Sequence, residues 1–96
     1  MATVNIVFFN EFYKKGVAVI GEILSAEDIT SSGTSQTSTG SSTGADMVKV
    51  TALGGNVRLN FGTSPTALAT GNYLLLENDV AYFKLQDGYK VAVIDN

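Results

Sequence analysis

Over most of the chain, apolar residues recur at every second position in short runs, and the runs are separated by clusters of Gly, Asn, Asp and Ser. That period predicts strands, and helical periodicity is nearly absent. The first run, Thr3 to Phe9, places Val4, Ile6 and Phe8 on one face and Asn5, Val7 and Phe9 on the other. Both faces are apolar beyond Asn5, as in a strand that is central or covered by a partner. Asn10 to Gly16 breaks the alternation and ends in glycine, which predicts a turn. Val17 to Leu24 then predicts a second strand, with Gly21 marking a bulge. Ser25 to Asp28 has the Ser-x-x-Asp spacing of a helix cap, but no apolar helix follows, so a loop or one helical turn is expected.

Further on, Met47 to Leu53 alternates with Val48, Val50 and Ala52 on one side, and Asn56 to Phe61 alternates with Val57, Leu59 and Phe61 on one side. Gly54-Gly55-Asn56 lies between them and tolerates the positive φ of a tight turn, so the two runs predict a hairpin. Gly62 to Asn72 reads as a polar connection holding the only proline, Pro65. Tyr73 to Leu76, Val80 to Leu85 and Tyr89 to Ile94 complete the strands, with turns at Glu77-Asn78-Asp79 and Asp87-Gly88. About seven or eight short strands predict an all-β fold, a small antiparallel β-sandwich of jelly-roll-like type. At 96 residues the chain has room for one core, so residues 1–96 are expected to form a single domain.

Ser31 to Gly44 (SSGTSQTSTGSSTG) resists the same treatment, because every residue except Gln36 is Ser, Thr or Gly. Such composition suits a flexible segment. Threonine nevertheless favours strands, and Thr34 to Thr39 alternates as a polar edge strand would. A linker between domains is a poor fit, since the thirty residues before it cannot build a core of their own.

Composition changes the picture mainly through chemistry. Charged residues make up 16% of the chain against about 25% in typical domains, which fits a surface partly covered by partners or one made polar by Ser, Thr and Asn. A formal charge of −3 opposes binding to nucleic acid, and Lys14-Lys15 is the nearest thing to a basic patch. No apolar run approaches the ~20 residues of a membrane-spanning helix, and the N-terminus does not read as a signal peptide. The chain has no His and no Cys, so neither a Ser-His-Asp nor a Cys-His arrangement can form. Glu27-Asp28 and Glu77-x-Asp79 are the close acidic groupings, and both fall in expected turns. They offer too few oxygens for a calcium shell and no shaped pocket for acid–base work. No enzyme activity, metal or cofactor is expected.

Aromatic residues remain. Phe8, Phe9, Phe12 and Tyr13 cluster near the N-terminus and Tyr82, Phe83 and Tyr89 near the C-terminus, and strand spacing makes such rings core candidates. Phe12 and Tyr13 fall in the expected turn, where they would be exposed anchors for another chain. With Lys14 and Lys15 these six residues form the candidate interface.

From about Ile29 onward the chain resembles the small tailed-phage capsid cement, decoration or head-stabilising proteins. Val48-Lys49-Val50, Val57 to Ala67 (VRLNFGTSPTA), Leu75 to Phe83 (LLENDVAYF) and Gly88 to Ile94 (GYKVAVI) carry the resemblance. It departs at Leu76-Glu77, where Leu-Pro is commoner in the family, and at Ala81, where Glu is commoner. The resemblance implies a virion protein on the capsid surface, made in the host cytoplasm. Its partners would be the major capsid protein and itself, as a homotrimer or a dimer. Residues 1–28 match poorly and would be an N-terminal arm or strand pair that adapts the protein to its own capsid. Family members also carry a polar strand before the Val-Arg-Val strand. On that basis Thr34 to Thr39 is expected to be an ordered edge strand and Gly40 to Gly44 a mobile turn. The reading from a different class is a tail-associated or carbohydrate- or receptor-binding β module, marked by a strip of exposed Tyr with polar neighbours.

Overall fold

A computed structural model describes residues 2–14 and 17–96, with the backbone alone described for 11–14 and 17–22. Among these residues there are eight strands: β1 (Thr3–Lys14), β2 (Val17–Thr30), β3 (Gln36–Thr37), β4 (Met47–Leu53), β5 (Val57–Gly62), β6 (Tyr73–Leu75), β7 (Val80–Lys84) and β8 (Lys90–Asp95). They form two four-stranded sheets, β2-β1-β4-β7 and β3-β8-β5-β6, in which every neighbouring pair is antiparallel. The chain passes from one sheet to the other at most connections, as in a jelly roll.

Alternation explains the interior. Val4, Ile6 and Phe8 of β1 and Val48, Val50 and Ala52 of β4 face Val57 and Leu59 of β5 and Val91 and Val93 of β8, all buried in one cluster. Each such side chain contributes about 1.5–3 kcal/mol by leaving water, so this shared face supplies the main drive for pairing the sheets. Phe61 and Phe83 close one side with ring centroids 4.6 Å apart, and Tyr73 meets Phe83 edge-on at 5.1 Å.

Three expectations outside the Ser/Thr segment are corrected. Asn10 to Gly16 is not a turn from its start, because β1 continues to Lys14 and pairs with β2 down to Lys14↔Val17. The apolar Val17 to Ile20 needs a ladder partner, and the preceding residues of the same hairpin are the nearest ones able to supply it. Ser25 to Asp28 is strand rather than loop, since β2 runs to Thr30. Its polar side chains are satisfied there: Asp28 accepts from the Asn5 amide at 2.9 Å, and Glu27 accepts from the Thr39 and Gly40 N–H groups at 3.1 and 2.9 Å. Lastly, β4 and β5 do not form a hairpin. They lie in different sheets, and Gly54, at φ 85°, turns the chain across the core. Alternation marks which side of a strand is buried, and two strands facing each other across an interior alternate just as two paired strands do.

The register of β1 against β2 skips Gly21, as the sequence suggests, and it skips Leu24 as well. Within the Ser/Thr segment, strand is confined to Gln36–Thr37, which pairs with β8 at the edge of its sheet. Gly40 to Gly44 is irregular, as expected, and is anchored at both ends, the Gly40 N–H donating to Glu27 at 2.9 Å and the Gly44 N–H to Asp87 at 2.9 Å. Ser31, Ser38 and Ser42 are buried and grip the two ends and the middle of the β8 region. Ser31 Oγ donates to Asp95, Ser38 Oγ accepts from the Val91 N–H at 3.0 Å, and Ser42 Oγ accepts from the Tyr89 N–H at 2.9 Å.

Candidate interaction surface

The two sheets treat their outer faces differently. Over β3-β8-β5-β6 the connection from residue 63 to 72 folds back as a flap, burying Ala67 against Ala92 and Ile94. Polar contacts hold it: the Ser35 hydroxyl accepts from the Ala67 N–H at 2.9 Å, and the Asn60 amide donates to the Thr66 carbonyl at 3.0 Å. The Phe-Gly-Thr-Ser-Pro-Thr-Ala run, one of the stretches carrying the family resemblance, is the chain that builds this flap.

No such cover lies over β2-β1-β4-β7 among the described residues. Register aligns its outward positions into rows across the sheet: Thr30, Thr3 and Leu53, then Asp28, Asn5, Thr51 and Val80, then Ala26, Val7, Lys49 and Tyr82, then Ile23, Phe9, Met47 and Lys84. Ile23 is 58% exposed, Tyr82 54%, Leu53 47% and Val80 46%. Exposed apolar side chains scattered singly need no explanation, whereas several on one sheet face mark a surface suited to a partner. Asp28 and Lys84 stand at its two edges and Lys49 inside it, with Thr3, Asn5, Thr30 and Thr51 toward one end, so most of its apolar side chains gather in the rows of Val7 and Phe9.

At one end the face runs into a ribbon. Pairing between β1 and β4 stops at Phe9↔Met47, while β1 and β2 go on pairing from Asn10↔Glu22 to Lys14↔Val17. Among the described residues that stretch of β1 pairs with β2 alone. A two-stranded ribbon is marginal by itself in water, so a third strand or a surface to lie on would stabilise it.

Each residue of the expected interface has a definite place. Phe8 points into the core and is fully buried. Phe9 points the other way, onto the uncovered face, and is 2% exposed with its ring edge-on to Tyr82 at 6.2 Å. Neither ring is exposed in the isolated chain. Phe12, Tyr13 and Lys14 lie on β1 within the ribbon, where only the backbone is described, and Lys15 lies outside the described residues. Among the acidic groupings, Glu27 and Asp28 point to opposite sides of β2, while Glu77 and Asp79 flank the β6–β7 turn, where Asn78 takes φ 66°. The geometry thus disperses the carboxylates among separate hydrogen bonds and turns.

The chain matches no family model, no curated protein and no solved structure. Its surface therefore has to be read on its own chemistry. Ile23, Leu53 and Val80 escaped the sequence reading, although a signal was present. Val80 and Tyr82 alternate with Ala81 and Phe83, so β7 is apolar at both parities, as is β1 beyond Asn5. Two strands of one sheet that are apolar on both faces imply a second buried surface, and the described residues cover only one.

Proposed function

We propose that this chain is a tailed-phage virion protein that binds the outer capsid lattice and braces neighbouring major capsid proteins, as cement or decoration proteins do. The observation carrying this reading is the uncovered apolar face of β2-β1-β4-β7, continuous with a strand ribbon whose residues Asn10 to Lys14 pair on one side only. Such a ribbon can take an added strand from a partner, and the face beside it can bury apolar surface against one. Binding through several copies in one assembly turns modest contacts into firm attachment. The function is mechanical and involves no chemical step.

A glycan-binding module is the weaker reading. Tyr82 is exposed, but its neighbours on the face are Val7, Lys49 and Val80, and Tyr73 sits beside Leu74, whereas sugar platforms mix aromatic faces with convergent polar groups. Electron microscopy of virions from the encoding phage, with the gene intact and deleted, tests the proposal. Surface density that disappears with the gene is expected. A protein absent from purified particles would overturn the reading.

A further inference from the structure

Strand β8 is buried on both faces, with Val91, Ala92, Val93 and Ile94 all enclosed. An apolar strand of this kind is a hazard near a sheet edge, because its spare N–H and C=O groups would template a further strand. Regular pairing covers little of it, since β3 contributes only Gln36 and Thr37. A repeated serine arrangement takes up the other groups. The Ser38 N–H donates to the Val91 carbonyl at 2.7 Å while its hydroxyl accepts from the Val91 N–H at 3.0 Å. Ser42 does the same to Tyr89, at 2.8 and 2.9 Å. Ser31 does it to Ala2 of the other sheet, at 2.8 and 2.7 Å, and passes its hydroxyl proton to Asp95.

In an antiparallel ladder the acceptor in each such pair would be the residue's own carbonyl. Here the hydroxyl replaces it, and can do so because it accepts one N–H and still donates its own proton, Ser38 to the Gly40 carbonyl and Ser42 to the Gln86 carbonyl. The segment therefore closes the β8 edge without itself becoming an extended strand with a new edge. Its remaining N–H groups are spent on side chains: those of Thr34 and Thr43 on the Ser32 and Ser41 hydroxyls, those of Thr39 and Gly40 on Glu27, and that of Gly44 on Asp87. Through Glu27 it also reaches β2, so it spans one side of the sandwich from β8 to the edge of the opposite sheet.

We propose that residues 31–44 are an edge guard, a strap of serine clasps that ends the β3-β8-β5-β6 sheet and keeps β8 from accepting an extended strand. This property belongs to the chain itself and stands whatever covers the open face of the other sheet. Strand parity makes it readable. Tyr89, Val91 and Asp95 give their N–H groups to the strap, and by antiparallel alternation Lys90, Ala92 and Ile94 give theirs to β5.

Native-state hydrogen exchange on the full chain reads the two sets separately. A strap that opens as a unit releases the Tyr89, Val91 and Asp95 amides together, ahead of Lys90, Ala92 and Ile94 in the same strand. The double variant Ser38→Ala, Ser42→Ala should speed the first set at least about tenfold relative to the second. A fluorescent synthetic peptide of residues 89–95 then probes the opened edge: its anisotropy should rise with the folded double variant and stay unchanged with the wild type. Gly40→Ala serves where the double variant fails to fold, because its Cβ presses on Ser25 Oγ and loosens the strap from the β2 side, and it should give the same two results. Exchange in which both sets move together in the wild type and in a folded variant would overturn the proposal. So would peptide binding equal in wild type and variant, or a folded variant that exposes the first set and yet captures no peptide.

Discussion

Ser38 is 2% exposed, and its hydroxyl accepts from the Val91 N–H while donating to the Gly40 carbonyl at 2.8 Å. Truncation to alanine leaves a buried N–H and a carbonyl without that partner, which costs about 1–3 kcal/mol. Ser38→Ala should therefore lower the midpoint of urea unfolding clearly, whereas Thr39→Ala next door, at an exposed position, should stay within ~0.5 kcal/mol of wild type. Gly40 belongs to the same clasp for a steric reason. A Cβ there would lie 2.5 Å from Ser25 Oγ, while the Ser25 Cβ itself stands at 3.4 Å. Gly40→Ala should destabilise the fold by roughly 1–2 kcal/mol. Ser25→Ala in the same chain should recover most of that loss, and a double-mutant cycle on unfolding free energies reads the coupling. Composition conceals all of this. Serine in a low-complexity run looks like solvent-facing linker, and only burial separates Ser31, Ser38 and Ser42 from their exposed neighbours.

Strand identity was largely legible, because period-two alternation follows from a sheet having one dry face, and β4, β5, β7 and β8 lie close to the runs that predicted them. The bulge at Gly21 was legible for a related reason, as glycine inside an apolar strand seldom serves packing. Pairing was not. β4 and β5 carry an apparent hairpin signature around Gly54-Gly55 and yet sit in opposite sheets, since local alternation contains no information about which strand lies alongside. Gly54, at φ 85°, is where that crossing turns, and Gly54→Ala should cost about 1 kcal/mol through backbone strain although nothing lies within 4 Å of the added methyl. The β2 end was missed because Glu27 and Asp28 are poor strand formers by themselves. Their stability in β2 comes from Thr39, Gly40 and Asn5, which are remote in sequence. Glu27→Ala should accordingly speed hydrogen exchange at the Thr39 and Gly40 amides while leaving the β4 amides protected, a local opening rather than a global one.

On the scale of the whole molecule, the decisive asymmetry is between an outer sheet face closed by the chain's own flap and one left open. Proteins seldom leave a broad apolar face to water unless something lies on it. The ribbon of β1 and β2 beyond Phe9 extends that open face, and of the residues singled out from the sequence Phe9, Phe12, Tyr13 and Lys14 lie along this part of β1, while Phe8 serves the core. What the sequence did not indicate was the face itself, because its members Val7, Ile23, Leu53 and Tyr82 are scattered along the chain and meet only through register. Ile23 and Val7 are suited to test it, as both lie on the open face away from the β7 edge and outside the main core cluster. The double variant Val7→Lys, Ile23→Lys should unfold within about 1 kcal/mol of wild type, since neither residue belongs to that core. The most direct measurement is cosedimentation of the wild type and this variant with decoration-free capsids of the encoding phage. Saturable binding by the wild type, weakened at least about tenfold in the folded variant, or roughly 1.4 kcal/mol per site, is the predicted result. Equal binding by both chains, or no binding by the wild type, would contradict it.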